Sequence, residues 1–280
     1  MKIIFSPQCL KYENPGHPES PLRVKLAYQF LKQKGLTFIE PAPCKEEDVL
    51  AVHSQGLLDA VQSGQFSDAD TPNLKGIFEH ASLAAGSAIQ AQERALKGEN
   101  AFSLMRPPGH HAGKDTLGGF CYFNNIAIAM KKALKKVKKG AILDLDCHHG
   151  NGTQDIFLGN ERVLYVSLHQ SPLYPGTGLE SEENCLNYPL PAGTDGKRYL
   201  ATLAQALKNI KAFDPELLGI SLGFDTYRED PLTNFGLEIA AYRDIGALIK
   251  ELSIAGFGVL EGGYSQRLGE CILEFLSGWE

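Results

Sequence analysis

Short apolar runs alternate along the chain with longer stretches in which apolar residues recur every three or four positions. The runs are Ile3–Phe5, Ala101–Leu104, Ala141–Leu145, Val163–Leu168, Leu217–Leu222 and Gly256–Leu260. Their length and β-branched content predict buried strands. The periodic stretches Pro21–Lys34, Leu74–Lys97, Asn124–Val137, Arg198–Phe213 and Leu237–Leu252 predict helices. Strand then helix, repeated, predicts an α/β fold with a mostly parallel central sheet flanked by helices. No Pro/Gly/Ser-rich linker or internal repeat interrupts it, so residues 1–280 are expected to form a single domain.

The unusual residues fall just after the strands. Leu104 is followed by "MRPPGHHAG", Leu145 by "DCHHGNG", Val166 by "SLHQSPLYPGTG", Leu222 by "GFDTYRED" and Leu260 by "EGGY". In an open parallel sheet, ligands bind at the C-terminal edge of the strands. The pattern therefore predicts one rim of His, Asp and Tyr side chains.

Composition narrows the class. The 280 residues are 43% apolar, ordinary for a folded domain, and the net charge of −6 argues against direct nucleic-acid binding. No window reaches the roughly 18 apolar residues of a membrane span. The start, "MKIIFSPQCL", reads as a first strand and not as an export signal. Six cysteines without a CxxC pair suit reduced thiols, so a cytoplasmic location is expected. "KKALKKVKK" (131–139) reads as a solvated helix face, with Ala133, Leu134 and Val137 turned inward. His17, His53 and His80 lie away from the strand ends and are expected to be structural. His169 has no assigned role, and Trp279 is expected to pack near the C-terminus.

"ILDLDCHHGNGT" (142–153) crowds two aspartates and two histidines against an apolar strand. Unpaired buried carboxylates are costly, so a cation is the expected compensation. Asp146 and His148 are two apart and, in an extended segment, face the same side. Asp144 shares that side and could brace the site or bind a second ion. Asp225 is the isolated candidate for a third ligand. Two carboxylates and one imidazole leave an open position, as a catalytic zinc requires, though Fe2+ or Mn2+ also suits them. Helix capping near Gly150 would explain one polar residue, not four. His110 and His111 sit in a Pro-Pro-Gly turn, with Asp144 and Asn151 as partners for their far nitrogens. An acid/base pair is the favoured reading.

"RPPGHH", "GGFCYFNNIAIA", "DLDCHHGNGTQDIF", "SLH…YPGTG", "LGFDTYREDPL" and "EGGY" together resemble the zinc-dependent histone deacetylase family, its class II-like branch, within the arginase–deacetylase fold. The likeness runs from "GHPESPLR" to "EGGY" in the family's order. Arginases differ by a DxHxD cluster that is absent here. The resemblance implies Asp146, His148 and Asp225 as zinc ligands, His110 and His111 as the tandem catalytic histidines, and Tyr264 as the residue that stabilises the oxyanion. It implies Phe120 and Tyr174 as aromatic walls of an acyl-lysine tunnel, and Asp70 as a rim residue holding the substrate backbone. Leu232 and Gly263 complete the substrate contacts, and Arg23 lies behind the site. Asp144, Asp146, His148, Ser167 and Leu168 match a structural potassium site. Asn151 stands where some branches have Asp. Cys147, between the ligands, is expected to be a small core residue.

The implied reaction is hydrolysis of an acetyl or short acyl amide on a lysine side chain by water activated at the metal. His111, paired only with an amide, is expected to have the pKa nearer the working pH and to shuttle the proton, with His110 mainly electrostatic. Acetylpolyamine hydrolysis is the rival; a silent acyl-lysine binder would be expected to lack one of these residues. In the polyamine-selective branch a glutamate stands seven residues after the last ligand, where this chain has Leu232. Glu13 in the first loop and the charge of Asp70 point the other way.

Overall fold

The computed structural model describes all 280 residues. Eight strands form one sheet: β1 (Lys2–Ile4), β2 (Phe38–Ile39), β3 (Ala101–Ser103), β4 (Gly140–Asp144), β5 (Val163–Gln170), β6 (Cys185–Leu190), β7 (Leu217–Leu222) and β8 (Gly256–Leu260). Their order is β2-β1-β3-β8-β7-β4-β5-β6, and every neighbouring pair is parallel. The six expected strands are present. The two that the apolar pattern misses, β2 and β6, are the sheet's edges. β2 has only two residues, and β6 is half-exposed and contains Pro189, which an edge strand tolerates.

Helices α1 (Pro21–Gln33), α2 (Glu46–Val49), α3 (Gln55–Ser63), α4 (Ile77–Ala95), α5 (Asn125–Ala133), α6 (Asn151–Phe157), α7 (Gly196–Phe213), α8 (Ile239–Lys250) and α9 (Leu268–Trp279) complete the chain. The strand pleat divides the core in two. Ala141 and Leu143 share one buried cluster with Val24 of α1, Tyr199 of α7, Tyr242 of α8 and Phe275 of α9. Ile142 points the other way, into the cluster of Leu58 of α3, Ala85 of α4 and Ile126 of α5. Burying both faces is why the central strands read as unbroken apolar runs.

The sequence pattern misses α2, α3, α6 and α9. α9 buries Leu268, Cys271, Ile272, Phe275, Leu276 and Trp279, a regular helical stripe. Ala133, Leu134 and Val137 are buried, while Lys131, Lys135, Lys136, Lys138 and Lys139 are exposed. The expected helix there is shorter than Asn124–Val137 and ends at Ala133. No helix is long and apolar enough to cross a membrane.

Candidate active site

Five of the strands, β3, β8, β7, β4 and β5, are consecutive neighbours in the sheet. They are the five whose C-terminal ends carry the polar motifs, so the loops converge on one cavity of about 260 Å³. His110, His111, Asp146, His148 and Tyr264 line its floor, with Asp70, Phe120, Leu173, Tyr174 and Leu232 around it.

Asp146 and His148 lie in a bend just past β4, not in extended chain as their spacing suggests. They converge all the same. His148 Nδ1 is 3.0 Å from Asp146 Oδ1 and 2.9 Å from Asp225 Oδ2. The three ligand atoms lie within 4.8 Å of one another. Neither Asp146 nor His148 caps the next helix, whose N-cap is Gly150 without a side-chain bond. Asp225 is fixed through Oδ1, which accepts the Cys147 N–H at 2.9 Å. Its Oδ2 is buried and, apart from the His148 nitrogen 2.9 Å away, makes no hydrogen bond. Burial, followed by the charge of Asp146, pushes the Asp225 carboxyl up to about 7. Two buried carboxylates converging on one imidazole, the only group facing the Asp225 Oδ2, make a donor set that fits a divalent cation.

His110 Nδ1 is 3.1 Å from Asp144 Oδ2, and His111 Nδ1 is 2.7 Å from Asn151 Oδ1. Burial alone would lower the His110 pKa. Asp144, with Asp146 behind it, outweighs that and lifts it to about 10. Burial and the neighbouring His110 and His148 hold His111 well below 6.5. That corrects the expectation that His111 titrates near working pH: an amide partner supplies no charge to offset two flanking imidazoles. His111 is a neutral ring whose Nδ1–H donates to Asn151, leaving its Nε2 lone pair free.

Asp144 is fully buried and also accepts the Tyr165 hydroxyl at 3.0 Å. It faces Ser167 in the β4–β5 register, with Leu168 next in β5. Cys147 is buried in the core, as expected.

The walls are held by second residues. Phe120 has φ 69°, a left-handed conformation that strains a bulky residue. It is clamped there because its N–H donates to Thr71 Oγ1 at 3.0 Å, and the Gly119 N–H donates to Asp70 Oδ1 at 3.1 Å. A Cβ on Gly119 would stand 2.3 Å from the His111 ring, so only glycine fits. Asp70 thus spends one oxygen on the neighbouring Gly119 loop. Burial and neighbouring Asp68 raise its pKa. Tyr264 donates its N–H to Asp230 Oδ2 at 2.7 Å, and the Arg23 guanidinium lies 4.8 Å from the centre of its ring. Burial keeps the Tyr264 phenol protonated.

Gly263 does not line the cavity. Its carbonyl accepts from Arg23 Nε at 2.8 Å, behind the floor. His17 is structural in a specific way: Nε2 is 3.0 Å from the Asp70 carbonyl and its ring stands edge-on to Phe120. His53 bridges the Gly113 carbonyl and the Asn124 N–H, and His80 packs on Tyr12. Trp279 is buried against Phe275.

Sequence reasoning missed Glu261, Asp230 and the Glu19–Arg106 pair. Glu261 Oε2 accepts the N–H groups of Gly109 and His110 at 2.7 and 3.2 Å, which fixes the start of the histidine pair. Asp230 also accepts the Leu232 N–H at 3.0 Å, so one carboxylate places both Leu232 and Tyr264. Arg106 is fully buried and bonds both Glu19 oxygens, at 2.8 and 2.7 Å. A charged residue inside each quoted motif was the available signal.

Known proteins place this geometry in context. The histone deacetylase domain family matches residues 17–278. A probable deacetylase of Archaeoglobus fulgidus is 38% identical over 290 residues, covering 94% of this chain and 81% of that one. Acetylpolyamine amidohydrolase 2 of Pseudomonas aeruginosa is 40% identical over 227 residues, covering 76% of this chain and 66% of that one. The crystal structure of an acetylpolyamine aminohydrolase from Burkholderia pseudomallei superposes with a TM-score of 0.94 at 28% identity, covering 100% of this chain and 98% of that one. The fold is the arginase–deacetylase fold, and the relatives are deacetylases and amidohydrolases.

Proposed function

This chain belongs to the histone deacetylase family, and we propose that it hydrolyses the acetyl, or another short acyl, amide of a lysine side chain. The observation that carries this reading is the aromatic-walled cavity of Phe120 and Tyr174, which ends at Asp146, His148, His111 and Tyr264, with Asp225 buried beside the first two. Phe120, Leu173, Tyr174 and Leu232 enclose an aliphatic stem and exclude water from it. The Tyr264 hydroxyl donates to the carbonyl oxygen. His111 takes a proton from the attacking water at Nε2 and returns it to the leaving amine, while His110 remains an imidazolium that stabilises negative charge. Water adds, the C–N bond breaks, and a carboxylate and an amine leave.

Asp146, His148 and Asp225 would hold the catalytic cation, zinc by the donor set, with Fe2+ or Mn2+ as alternatives. Bound there, such a cation supplies Lewis-acid chemistry that acidifies water and polarises a carbonyl. We assign a structural potassium to the corner where Asp144, Ser167 and Leu168 adjoin, with Asp146 and His148.

Leu232 favours lysine, since it gives the mouth an apolar wall where a polyamine enzyme needs a carboxylate. A second reading, an acetylpolyamine, is favoured by the mouth carboxylate Asp70 with Asp68 beside it, and by the names of two Pseudomonas relatives. The test is kcat/KM measured side by side for an acetyl-lysine peptide and acetylspermidine. Preference for the peptide is expected. A tenfold preference for the polyamine, about 1.4 kcal/mol of discrimination, overturns the substrate assignment. Leu232→Glu should move the ratio toward the polyamine.

A further inference from the structure

His149 and His169 form a second histidine pair that the chemistry above does not use. Both are buried, and their ring centroids are 4.7 Å apart. We propose that they are positioning residues that set the Tyr174 wall of the channel by clasping the far end of its loop. This rests on the reading of that channel as the substrate's path.

The hydrogen bonds define the clasp. His169 Nε2 lies 3.0 Å from the Gly178 carbonyl, which can only accept, so Nε2 carries the proton. Its Nδ1 then accepts from the Ser167 hydroxyl at 2.9 Å. His149 Nε2 lies 3.0 Å from Gln154 Oε1, which also accepts from Asn187 Nδ2 at 2.9 Å. Nε2 is therefore the donor, and His149 Nδ1 accepts from the Thr177 hydroxyl at 2.7 Å. One imidazole holds the Thr177 side chain and the other holds the Gly178 backbone. A Cβ on Gly178 would stand 2.6 Å from the His149 ring and 2.8 Å from the His169 ring, so this turn fits against the pair only as glycine.

The other end of the loop is pinned where the Ser171 N–H donates to the Leu190 carbonyl at 2.8 Å. Between the pins, Leu173 and Tyr174 line the cavity on a turn closed by Gly176 N–H to Leu173 O at 2.9 Å. The Tyr174 side chain makes no hydrogen bond within the protein and is 46% exposed. The ring stands edge-on to His111 at 5.1 Å, so packing and the backbone place it, and the two pins hold the backbone. Buried ring nitrogens need partners wherever they lie, so what matters is which partners they take. Here both rings direct a nitrogen at adjacent residues of this one loop.

The test uses the metal-loaded full chain with His169→Gln and, separately, Thr177→Val. Thr177 is exposed, so the second variant removes a clasp bond with little risk to folding. Each is expected to raise KM for an acetyl-lysine peptide about tenfold while leaving kcat within about threefold and metal content unchanged. In a Tyr174→Ala background the same changes should move KM by less than about twofold, because the wall they position is gone. Amides of residues 171–178 should exchange hydrogen faster in both variants, a readout that needs no turnover. Unchanged KM in a folded variant, KM effects that add to that of Tyr174→Ala, or unchanged exchange would each overturn the clasp. If the unmodified enzyme hydrolyses no acylated amine, the functional reading fails, while the exchange measurement still decides whether the pair holds the loop.

Discussion

His110 and His111 pack as tilted rings with centroids 4.0 Å apart on the channel floor; His149 and His169 pack, also tilted, at 4.7 Å behind its wall. All four are buried. Burial by itself disfavours the charged ring in every case. On the floor one partner is a carboxylate, Asp144, and the pair splits: His110 rises to about 10 and His111 falls well below 6.5. Behind the wall every hydrogen-bond partner is neutral, and both rings fall, His149 to about 3 and His169 to about 4. The floor pair therefore offers a fixed cation beside a free lone pair on the cavity. The wall pair spends all four nitrogens on fixed bonds. A neighbour's charge and an unused nitrogen, not the doubled histidine itself, separate chemistry from architecture.

The largest expected effect lies with the ligands beneath the floor pair. Asp225→Ala removes one of the three candidate ligands and the buried oxygen that faces His148. Stoichiometric metal, read by elemental analysis, and all measurable activity should be lost together. Full metal occupancy in an active Asp225→Ala enzyme would break the assignment of the site.

Within the floor pair the effects should be unequal. His111→Ala should lower kcat/KM by about 10³-fold, within the range typical of a lost general base. His110→Ala removes a charge but not the lone pair and should cost less, about 10²-fold. Single-turnover rates on both variants sharpen the division; equal or reversed losses count against it.

How far the sequence foretold this contrast depends on the range of the forces involved. The central strands were legible because burial on both faces leaves apolar runs, and their polar ends named the rim. Edge strands β2 and β6 were not, since a strand paired on one side needs no such run. Asp144 beside His110 and Asn151 beside His111 were readable as candidate partners from chemistry and proximity to the motif. The depth of the His111 shift was not, because it arises from burial and from His148, which only the folded chain brings near. Glu261 reaches Gly109 across 152 positions of sequence, and Asp230 reaches Tyr264 across 34, so neither support shows in a local pattern. His169 was visible but mute, because its role lies in a loop it meets only after folding.

The smallest expected effect concerns stability, where the two pairs should act at opposite ends of the pH scale. His110 has a folded pKa above its unfolded value, so its contribution is present below about 6.5 and is lost as pH rises through about 10. His169 is the reverse. Its folded pKa of about 4 lies below the unfolded 6.5, so unfolding takes up a proton between those values. Its contribution is complete above 6.5 and is lost as pH falls toward 4, at up to about 1.4 kcal/mol per pH unit. The wild-type curve alone cannot isolate this. His53 and His149, lowered to about 4 and 3, add to the slope. Glu261 and Asp230, raised to about 7 and 6, oppose it. The difference between wild type and His169→Gln cancels these shared terms. Urea unfolding should show the variant less stable at pH 7, with the gap narrowing by about 1.6 kcal/mol between pH 6.5 and pH 5. A gap that holds constant across that range would mean His169 does not sit neutral behind the wall, and the contrast between the two pairs would fail.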